Sequence, residues 1–232
     1  MGYLRRNPAE TGAVEKPRVP RHEIRPPEPA ELVRLVEAAE AAGDRLALLW
    51  ALAIYSGCRQ GELLGLTWSD VDLDRGTLSV RRTLQRVRAT VPQFGEPKSA
   101  TSRRTVRLPA VATAALRAQK ARQAEERLAE AAWADYGLVF STHMGTPLMW
   151  RNVIGAFKAA LKRAGLVETI RFHDLRHAHA TLMLRAGVPL KVASGRLDHS
   201  SVGITADLYQ HLADDLDTDA AERAAAALAA VQ

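Results

Sequence analysis

The stretch RLALLWALAIYSG, residues 45–57, constrains the fold more than any other part of the chain. After Arg45 it is almost entirely apolar, and Gly57 stands where a helix commonly ends. A helix that is apolar on every side is buried on every side, so other elements must surround it. No apolar run in the sequence reaches the roughly 18 residues that a membrane span requires. We therefore predict a soluble domain built around this segment.

Helical spacing of apolar residues recurs on both sides of this stretch. The predicted helices are PAELVRLVEAAEAAG, RQGELLGL, VATAALRAQKARQAEERLAEAA, MWRNVIGAFKAALKRAG, HDLRHAHATLMLRAG and PLKVASGRL. After the third helix the period changes to two, which predicts three short strands: TLSVRRTLQRV, a segment around Ala89 to Lys98, and RRTVRLP. The predicted fold class is mainly α with a small antiparallel β-sheet.

The charge balance favours a polyanionic partner. The chain of 232 residues has 32 Lys and Arg against 26 Asp and Glu, a net charge of +6. Nucleic acid would suit this excess, although a solvated basic surface would give the same number. Cys58 is the one cysteine, which excludes an internal disulfide and a Cys-rich metal site and suits a reducing compartment. With no signal peptide visible, we expect an intracellular, cytoplasmic protein.

The stretch RFHDLRHAHATLMLRAG, residues 171–187, concentrates groups that bind metals or anions. On a helix, His173, Arg176 and His177 fall within about 100° of one another. The His-x-x-x-His spacing suggests zinc, but Arg176 would oppose a dication and Asp174 is shorter than the expected Glu. Arg176 could instead pair with Asp174 or another carboxylate in a structural helix. It could also present its planar fork to a phosphate.

Four other residues could converge with this helix, and each has an ordinary alternative. Arg59 follows a helix stop, where an anion would be held, but an Arg59–Glu62 surface pair is equally simple. Lys98 lies beside a turn in a basic hairpin that either is solvated or reaches a nucleic-acid backbone. His199 and Tyr209 follow the last predicted helix, and a lone Tyr is usually core or interface.

The blocks GCRQGELLGLTWSDVDL, PKSATSRRTVRLP, HDLRHAHATLML and LDHSSVGITADLYQHL occur in this order. Together they resemble the four signature blocks of the catalytic domain of the tyrosine recombinases, the phage-integrase family, over about residues 30–212. The resemblance implies the DNA breaking-rejoining fold of that family. It also implies six catalytic residues: Arg59, Lys98, His173, Arg176, His199 and Tyr209.

The resemblance implies transfer of a DNA phosphodiester onto Tyr209, giving a 3′-phosphotyrosyl bond and a free 5′ hydroxyl. The two arginines and His199 would stabilise the charge of the transition state, which would leave no need for a metal, a cofactor or ATP. Lys98 would protonate the departing oxygen, and His173 would accept a proton or contact the phosphate. The alternatives are a non-catalytic DNA-binding relative, an inactive fragment, and a metallohydrolase built on HDLRH.

The chain departs from the family pattern at position 198 and before residue 30. Asp198 stands where the family most often has Gly; its carboxylate could raise the pKa of His199 or weaken phosphate attraction. Residues 1–29 are expected to be a tail and linker from a missing or truncated core-binding domain, followed by the catalytic domain, residues 30–212. Residues 213–232 are expected to form an Ala-rich helix that docks on a neighbouring protomer or folds back on its own domain.

The partners that the resemblance implies are double-stranded DNA with a specific recombination site and further copies of the chain. The copies would form a tetramer in the synaptic complex on DNA. A nucleoid-associated protein of a mobile element, without contact to a membrane, is the corresponding expectation.

Overall fold

The computed structural model describes residues 26–85, 93–95, 103–198 and residue 229. Its helices are α1 Pro29–Ala41, α2 Ala47–Ser56, α3 Gln60–Leu64, α4 Ala110–Ala129, α5 Trp150–Arg163, α6 Phe172–Arg185 and α7 Leu190–Leu197. Each lies within a segment that the sequence predicts as helical, except that α4 and α6 begin one residue earlier than predicted. The prediction for residues 213–232 concerns a stretch outside the described ranges, except for residue 229, which is helical.

Helix α2 is the centre of the main core, as its uniform hydrophobicity predicts. Trp50 is fully buried and packs against Phe157 of α5 and Phe172 of α6, with ring centroids 5.2 and 5.8 Å away. The two phenylalanine rings meet each other at 5.6 Å. Tilted and edge-on aromatic contacts of this kind add to the stabilisation from buried area. They fix the position of α6, which carries the His-rich stretch, against α2.

The strands form two small antiparallel sheets rather than one. They are β1 Val71–Asp72, β2 Thr77–Val80, β3 Thr83–Gln85, β4 Gln93–Gly95 and β5 Arg104–Arg107. One sheet has the order β1-β2-β5, and β3 pairs with β4 in the other. The mainly α fold with small antiparallel sheets is confirmed. The expectation of a single three-stranded sheet is wrong, because TLSVRRTLQRV divides into two strands that belong to different sheets.

Two adjacent arginines mark the division between β2 and β3. Arg81 and Arg82 both reach the carboxylate of Asp70, with N···O distances of 3.5 and 3.7 Å, and Arg82 also donates to the hydroxyl of Thr67 at 3.0 Å. Neighbouring residues of a regular strand point to opposite faces. Two consecutive side chains that reach one carboxylate therefore break the alternation at this point.

Helix α6 is buried mainly through its first half. Leu175 and Ala178 are at most 1% exposed and belong to the main core. The apolar run Thr181 to Leu184 is only partly buried apart from Leu184, which packs in a small separate cluster with Ala193 of α7. Among the described residues, no helix is both long and apolar enough to cross a membrane.

Candidate active site

The end of α2 requires glycine because two other helices approach it closely. Gly57 has φ +63°, and a Cβ there would lie 2.5 Å from the His179 ring of α6 and 2.6 Å from the side chain of Leu197 of α7. Both distances are below ordinary contact, and the left-handed backbone itself favours glycine. The turn at Gly57 thus brings α6 and α7 against the start of α3, where Arg59 lies.

Side chains from α6 and α7 satisfy the backbone carbonyls at the end of α2. The last carbonyls of a helix have no partner within the helix, so buried ends need donors from elsewhere. Three such hydrogen bonds are present: His179 Nδ1 to Ile54 O at 2.8 Å, Arg196 Nη2 to Tyr55 O at 3.1 Å, and Arg176 Nη1 to Gly57 O at 2.6 Å. Positive side chains also suit the negative end of the helix dipole.

The end of α7 is held in the same way, by an arginine on each of three consecutive carbonyls. These hydrogen bonds run from Arg104 Nε to Arg196 O at 2.8 Å, from Arg176 Nη2 to Leu197 O, and from Arg59 Nη2 to Asp198 O at 2.8 Å. The donors come from β5, from α6 and from the residue before α3. Arg176 therefore bridges the ends of α2 and α7, which explains why a buried guanidinium occupies α6.

A buried carboxylate orders two of these arginines. Glu62 is 5% exposed and accepts from Arg59 Nη1 at 2.9 Å and from both Nη atoms of Arg104, at 2.8 and 3.1 Å. Its other contact is the backbone N–H of Arg59 at 2.8 Å. Burial alone would raise the pKa of Glu62, but the hydrogen bonds and charges of Arg104 and Arg59 outweigh it and lower that pKa. The predicted Arg59–Glu62 contact is confirmed, as part of a buried network.

The arginines are close enough to influence one another electrostatically. Burial lowers the pKa of Arg176 to about 10, and the positive charges of Arg59 and Arg104 contribute in the same direction. Arg176 stays charged at neutral pH. The Arg59 side chain is 40% exposed, whereas the Arg104 side chain is 8% exposed. Arg59 is thus the most exposed of the three arginines and the one that a ligand arriving from solvent would meet first.

Asp198 adds a second carboxylate to this cluster. Its Oδ2 lies 2.9 Å from Arg59 Nη1, and its carbonyl accepts from Arg59 Nη2. Its backbone has φ 53° and ψ 50°, the left-handed conformation, which Asp adopts more readily than most residues. Among the described residues it is the only non-glycine with positive φ.

The histidines of α6 have different surroundings. His173 is exposed at the start of the helix, and its ring lies 4.8 Å from that of His177, edge to face. Partial loss of hydration, with the neighbouring His177 and Arg176, lowers the pKa of His173 to about 4. His179 is 7% exposed, and its Nε2 accepts from Arg196 Nε at 3.1 Å. Burial, followed by the charge of Arg196, lowers its pKa to about 4. His179 is thus a neutral link between α2 and α7.

The structure brings two of the six predicted site residues into direct hydrogen bonding with one element. Arg59 and Arg176 bind neighbouring carbonyls at the end of α7, and His173 lies near enough to Arg176 for the arginine to lower its pKa. Lys98, His199 and Tyr209 lie outside the described residues. Asp174 does not pair with Arg176: it binds Arg171, with Nη2···Oδ1 at 2.9 Å. Among residues 26–85, 93–95 and 103–198, no cluster of three or more His, Cys, Asp or Glu side chains is arranged to hold a metal.

The sequence pattern predicts Arg104 only as part of a basic hairpin and does not identify it as a residue of the site. A signal for its burial exists in the alternation of β5. Arg104 lies two residues before Val106, which is 1% exposed, so both belong to the core face of the strand. A charged residue on the core face requires a buried partner, here Glu62. Arg196 was missed as well. Its acceptors are His179 Nε2, Tyr55 O and Arg107 O, which are 17, 141 and 89 residues away along the chain, so no local pattern reveals them.

Comparison with solved structures identifies the fold. The Tn1549 transposon integrase, in complex with transposon right end DNA, matches with a TM-score of 0.76 at 20% identity, over 96% of this chain and 73% of that one. The XerA recombinase matches with a TM-score of 0.69 at 24% identity, over 88% and 66% of the two chains. The fold is that of the tyrosine recombinase catalytic domain.

Sequence comparison gives the family. The profile described as the Phage integrase family matches residues 28–215, and the chain belongs to that family. A tyrosine recombinase XerC-like protein of Caldanaerobacter subterraneus subsp. tengcongensis is 35% identical over 239 residues, covering 95% of this chain and 60% of the relative. An integrase of Streptomyces ambofaciens is 34% identical over 187 residues, covering 78% and 47%. The chain thus spans about half to three fifths of the length of these relatives.

Proposed function

We propose that the protein is a site-specific DNA recombinase that cleaves and rejoins strands through a covalent bond between Tyr209 and a DNA 3′ phosphate. The observation that carries the proposal is the arginine cluster at the end of α7, in a chain of the Phage integrase family. The related solved structures are those of an integrase bound to transposon DNA and of a recombinase. Double-stranded DNA with a specific site is accordingly the proposed substrate.

The arginines suit the role of stabilising a phosphoryl-transfer transition state. Arg59 is partly exposed. Its ion pair with buried Glu62 orients its guanidinium before a ligand arrives. Arg176 is charged and buried, and its two described hydrogen bonds leave further N–H groups of its five for a phosphate. Preorganised donors of this kind stabilise developing charge without reorganising during the reaction. His199 is the proposed third donor.

Tyr209 is the proposed nucleophile. A free tyrosine has a pKa near 10, so it is a weak nucleophile at neutral pH unless positive charge favours the phenolate. The arginine cluster would supply that charge. Lys98 would protonate the departing 5′ oxygen, and His173, which is neutral at physiological pH, would accept a proton or contact the phosphate. The phosphotyrosyl bond keeps the energy of the phosphodiester, so religation would require neither ATP nor a metal.

The proposed assembly is a tetramer on two DNA sites, with residues 30–212 as the catalytic unit. Residues 1–29 would connect this unit to a core-binding domain, and residues 213–232 would dock on a neighbouring protomer. Cytoplasmic, nucleoid-associated localisation follows from the proposed substrate. These points extend the family relationship to the behaviour of the whole protein.

Covalent capture tests the central step. The chain is incubated, with EDTA present, with a pool of nicked duplexes that have randomised cores, and DNA linked to protein is recovered under denaturing conditions and sequenced. We expect an adduct that Tyr209→Phe abolishes, with a sequence enriched in the recovered DNA. Tyr55→Phe is the matched control, because Tyr55 lies on α2 and contributes its backbone carbonyl to the network.

The result also separates the alternatives. DNA binding without an adduct, from this chain and from a longer form that includes a core-binding domain, would favour a non-catalytic DNA-binding protein. An adduct that persists in Tyr209→Phe would disprove the assignment of the nucleophile. Activity that EDTA abolishes would contradict the metal-free mechanism.

A further inference from the structure

We propose that Asp198 competes with the DNA phosphate for Arg59 and thereby sets the affinity and salt dependence of DNA binding. The inference rests on the proposed function, because it assumes that Arg59 contacts a DNA phosphate. The Asp198 carboxylate occupies part of the donor surface that such a contact would use. DNA must displace this carboxylate before Arg59 can bind a phosphate with both Nη groups.

The count of donors on Arg59 shows what is occupied. Nη1 carries two N–H groups, and its two acceptors are Glu62 Oε1 and Asp198 Oδ2, both at 2.9 Å. Nη2 donates to the Asp198 carbonyl at 2.8 Å. A bidentate phosphate contact uses two neighbouring N–H groups of the guanidinium. Because Glu62 is buried beneath Arg59 and Asp198 is less buried, the Asp198 carboxylate is the one that an incoming phosphate can replace.

Burial distinguishes the two carboxylates. The side chain of Glu62 is 4% exposed and that of Asp198 is 15% exposed. Glu62 is also bound by Arg104 through both of its oxygens. Asp198 lies at the end of α7, immediately before the segment that carries His199 and Tyr209. Release of its carboxylate from Arg59 would therefore occur one residue before His199 in the chain, which is the proposed third donor.

The charges of the cluster support the same conclusion. Among the described residues, Arg59, Arg104 and Arg176 contribute three positive charges, and Glu62 and Asp198 contribute two negative charges, which leaves one net positive charge on these five groups. Removal of the Asp198 charge would double this value. The same change removes a carboxylate that must take up a cation when DNA displaces it from Arg59.

Counterion exchange gives a measurable signature. A phosphate contact normally contributes about 0.9 to the slope of log affinity against log salt concentration, because the DNA releases a cation. If a carboxylate is displaced at the same time and takes up a cation, part of this contribution is cancelled. Variants without the carboxylate should therefore show a steeper slope, by up to about 0.9.

Fluorescence anisotropy with a labelled duplex of random sequence, over a series of salt concentrations, tests the proposal. Asp198→Asn and Asp198→Gly both tolerate the left-handed backbone, so neither should strain the turn. We expect both to bind about three- to tenfold more tightly than the parent chain at low salt, with the steeper slope described above. Gly should exceed Asn, because an amide oxygen can still accept from Arg59.

Asp74→Asn is the matched control. Asp74 is 99% exposed in the turn between β1 and β2 and pairs with Arg117 of α4, at 3.3 Å, so the change removes the same charge elsewhere. We expect less than about a twofold change in affinity and an unchanged slope. Thermal unfolding of every variant confirms that the fold is retained.

The proposal would be overturned if the Asp198 variants had the same affinity and slope as Asp74→Asn. It would also be overturned if both Asp198 variants bound DNA more weakly than the parent chain, which would mean that Asp198 holds Arg59 in place for DNA. Covalent capture separates this failure from that of the proposed function. A Tyr209-dependent adduct with no effect of Asp198 on binding would refute only the competition. Tighter, more salt-sensitive binding by the Asp198 variants with no adduct would refute only the strand cleavage.

Discussion

The two halves of α6 have opposite relations between polarity and burial. The first half, residues 172–180, contains histidines and an arginine, and apart from His173 it is buried. The second half, residues 181–185, contains an apolar run, and only Leu184 in it is fully buried. Hydrophobicity alone would have assigned the core contact to the second half. Burial in this helix follows the needs of its neighbours as well as its own composition.

The ends of α2 and α7 account for the difference. Both helices finish in the interior, and their last carbonyls need donors that water cannot supply there. Arg176 and His179, on the first half of α6, donate hydrogen bonds to these carbonyls. Leu175 and Ala178, in the same half, pack in the main core. The second half of α6 faces no such carbonyls among the described residues. Met183 and Leu184 pack with α7 in a small cluster, and Leu182 packs against the main core as a partly buried side chain.

Leucine truncation should give the largest effect on stability and should differ between the halves. Leu175→Ala removes a side chain with no exposed surface from the main core, and we expect a loss of about 3–5 kcal/mol in the free energy of unfolding. Leu182→Ala, at a partly buried position, should cost about 1–2 kcal/mol. Urea unfolding of both variants measures the difference. Equal losses would mean that the halves contribute equally to the core.

Removal of Arg176 tests the polar contribution of the first half. Arg176→Met keeps the volume but leaves the carbonyls of Gly57 and Leu197 without their donor, and we expect a loss of about 2–4 kcal/mol. If the proposed function is correct, formation of the DNA adduct should also fall by about 10²–10³-fold. Arg185→Met, in the second half, is the control and should leave adduct formation unchanged. If Arg176→Met were as stable as the parent chain and formed the adduct normally, Arg176 would contribute neither to stability nor to the reaction.

The sequence predicts local features of this region better than its long-range contacts. Helical periodicity locates α6, the glycine stop locates the end of α2, and the spacing of Arg59 and Glu62 predicts their contact. The acceptors of Arg176 are 119 and 21 residues away along the chain, and the contact between Arg104 and Glu62 spans 42 residues. Such pairs depend on how the helices pack, which no local pattern specifies. Lys98, His199 and Tyr209 remain predictions from the family resemblance.

Acid should weaken the first half of α6 through His179. Its pKa falls from 6.5 in the unfolded chain to about 4 in the folded protein, so the neutral form is the one that the fold stabilises. The resulting stability is fully present above about pH 6.5 and is lost as the pH falls towards about 4, by about 2–3 kcal/mol. His173 and His177 shift in the same direction, so the comparison requires a variant.

His179→Gln isolates this contribution. The free energy of unfolding of both proteins is measured between about pH 7 and about pH 4. We expect the variant to be less stable at neutral pH and the difference to shrink with acid, because only the parent chain has this group to protonate. Protonated His179 would also repel Arg196 and Arg176, the cations beside it. A difference that stays constant over the whole range would contradict the neutral link between α2 and α7.

The smallest effect is expected at the end of the second half, where an ion pair lies at the surface. Arg185 Nη1 is 2.8 Å from Glu28 Oε2, and the two side chains are 36% and 44% exposed. A pair this exposed is screened by water and salt, so Arg185→Gln should cost less than about 1 kcal/mol, and less still at high salt. Thermal unfolding at two salt concentrations measures this cost. Arg176 and Arg185 are the same residue type on one helix. If replacing Arg185 lowered the free energy of unfolding nearly as much as replacing Arg176, exposure would not distinguish the two arginines. A small, salt-sensitive cost would instead attribute the importance of Arg176 to its buried carbonyl partners.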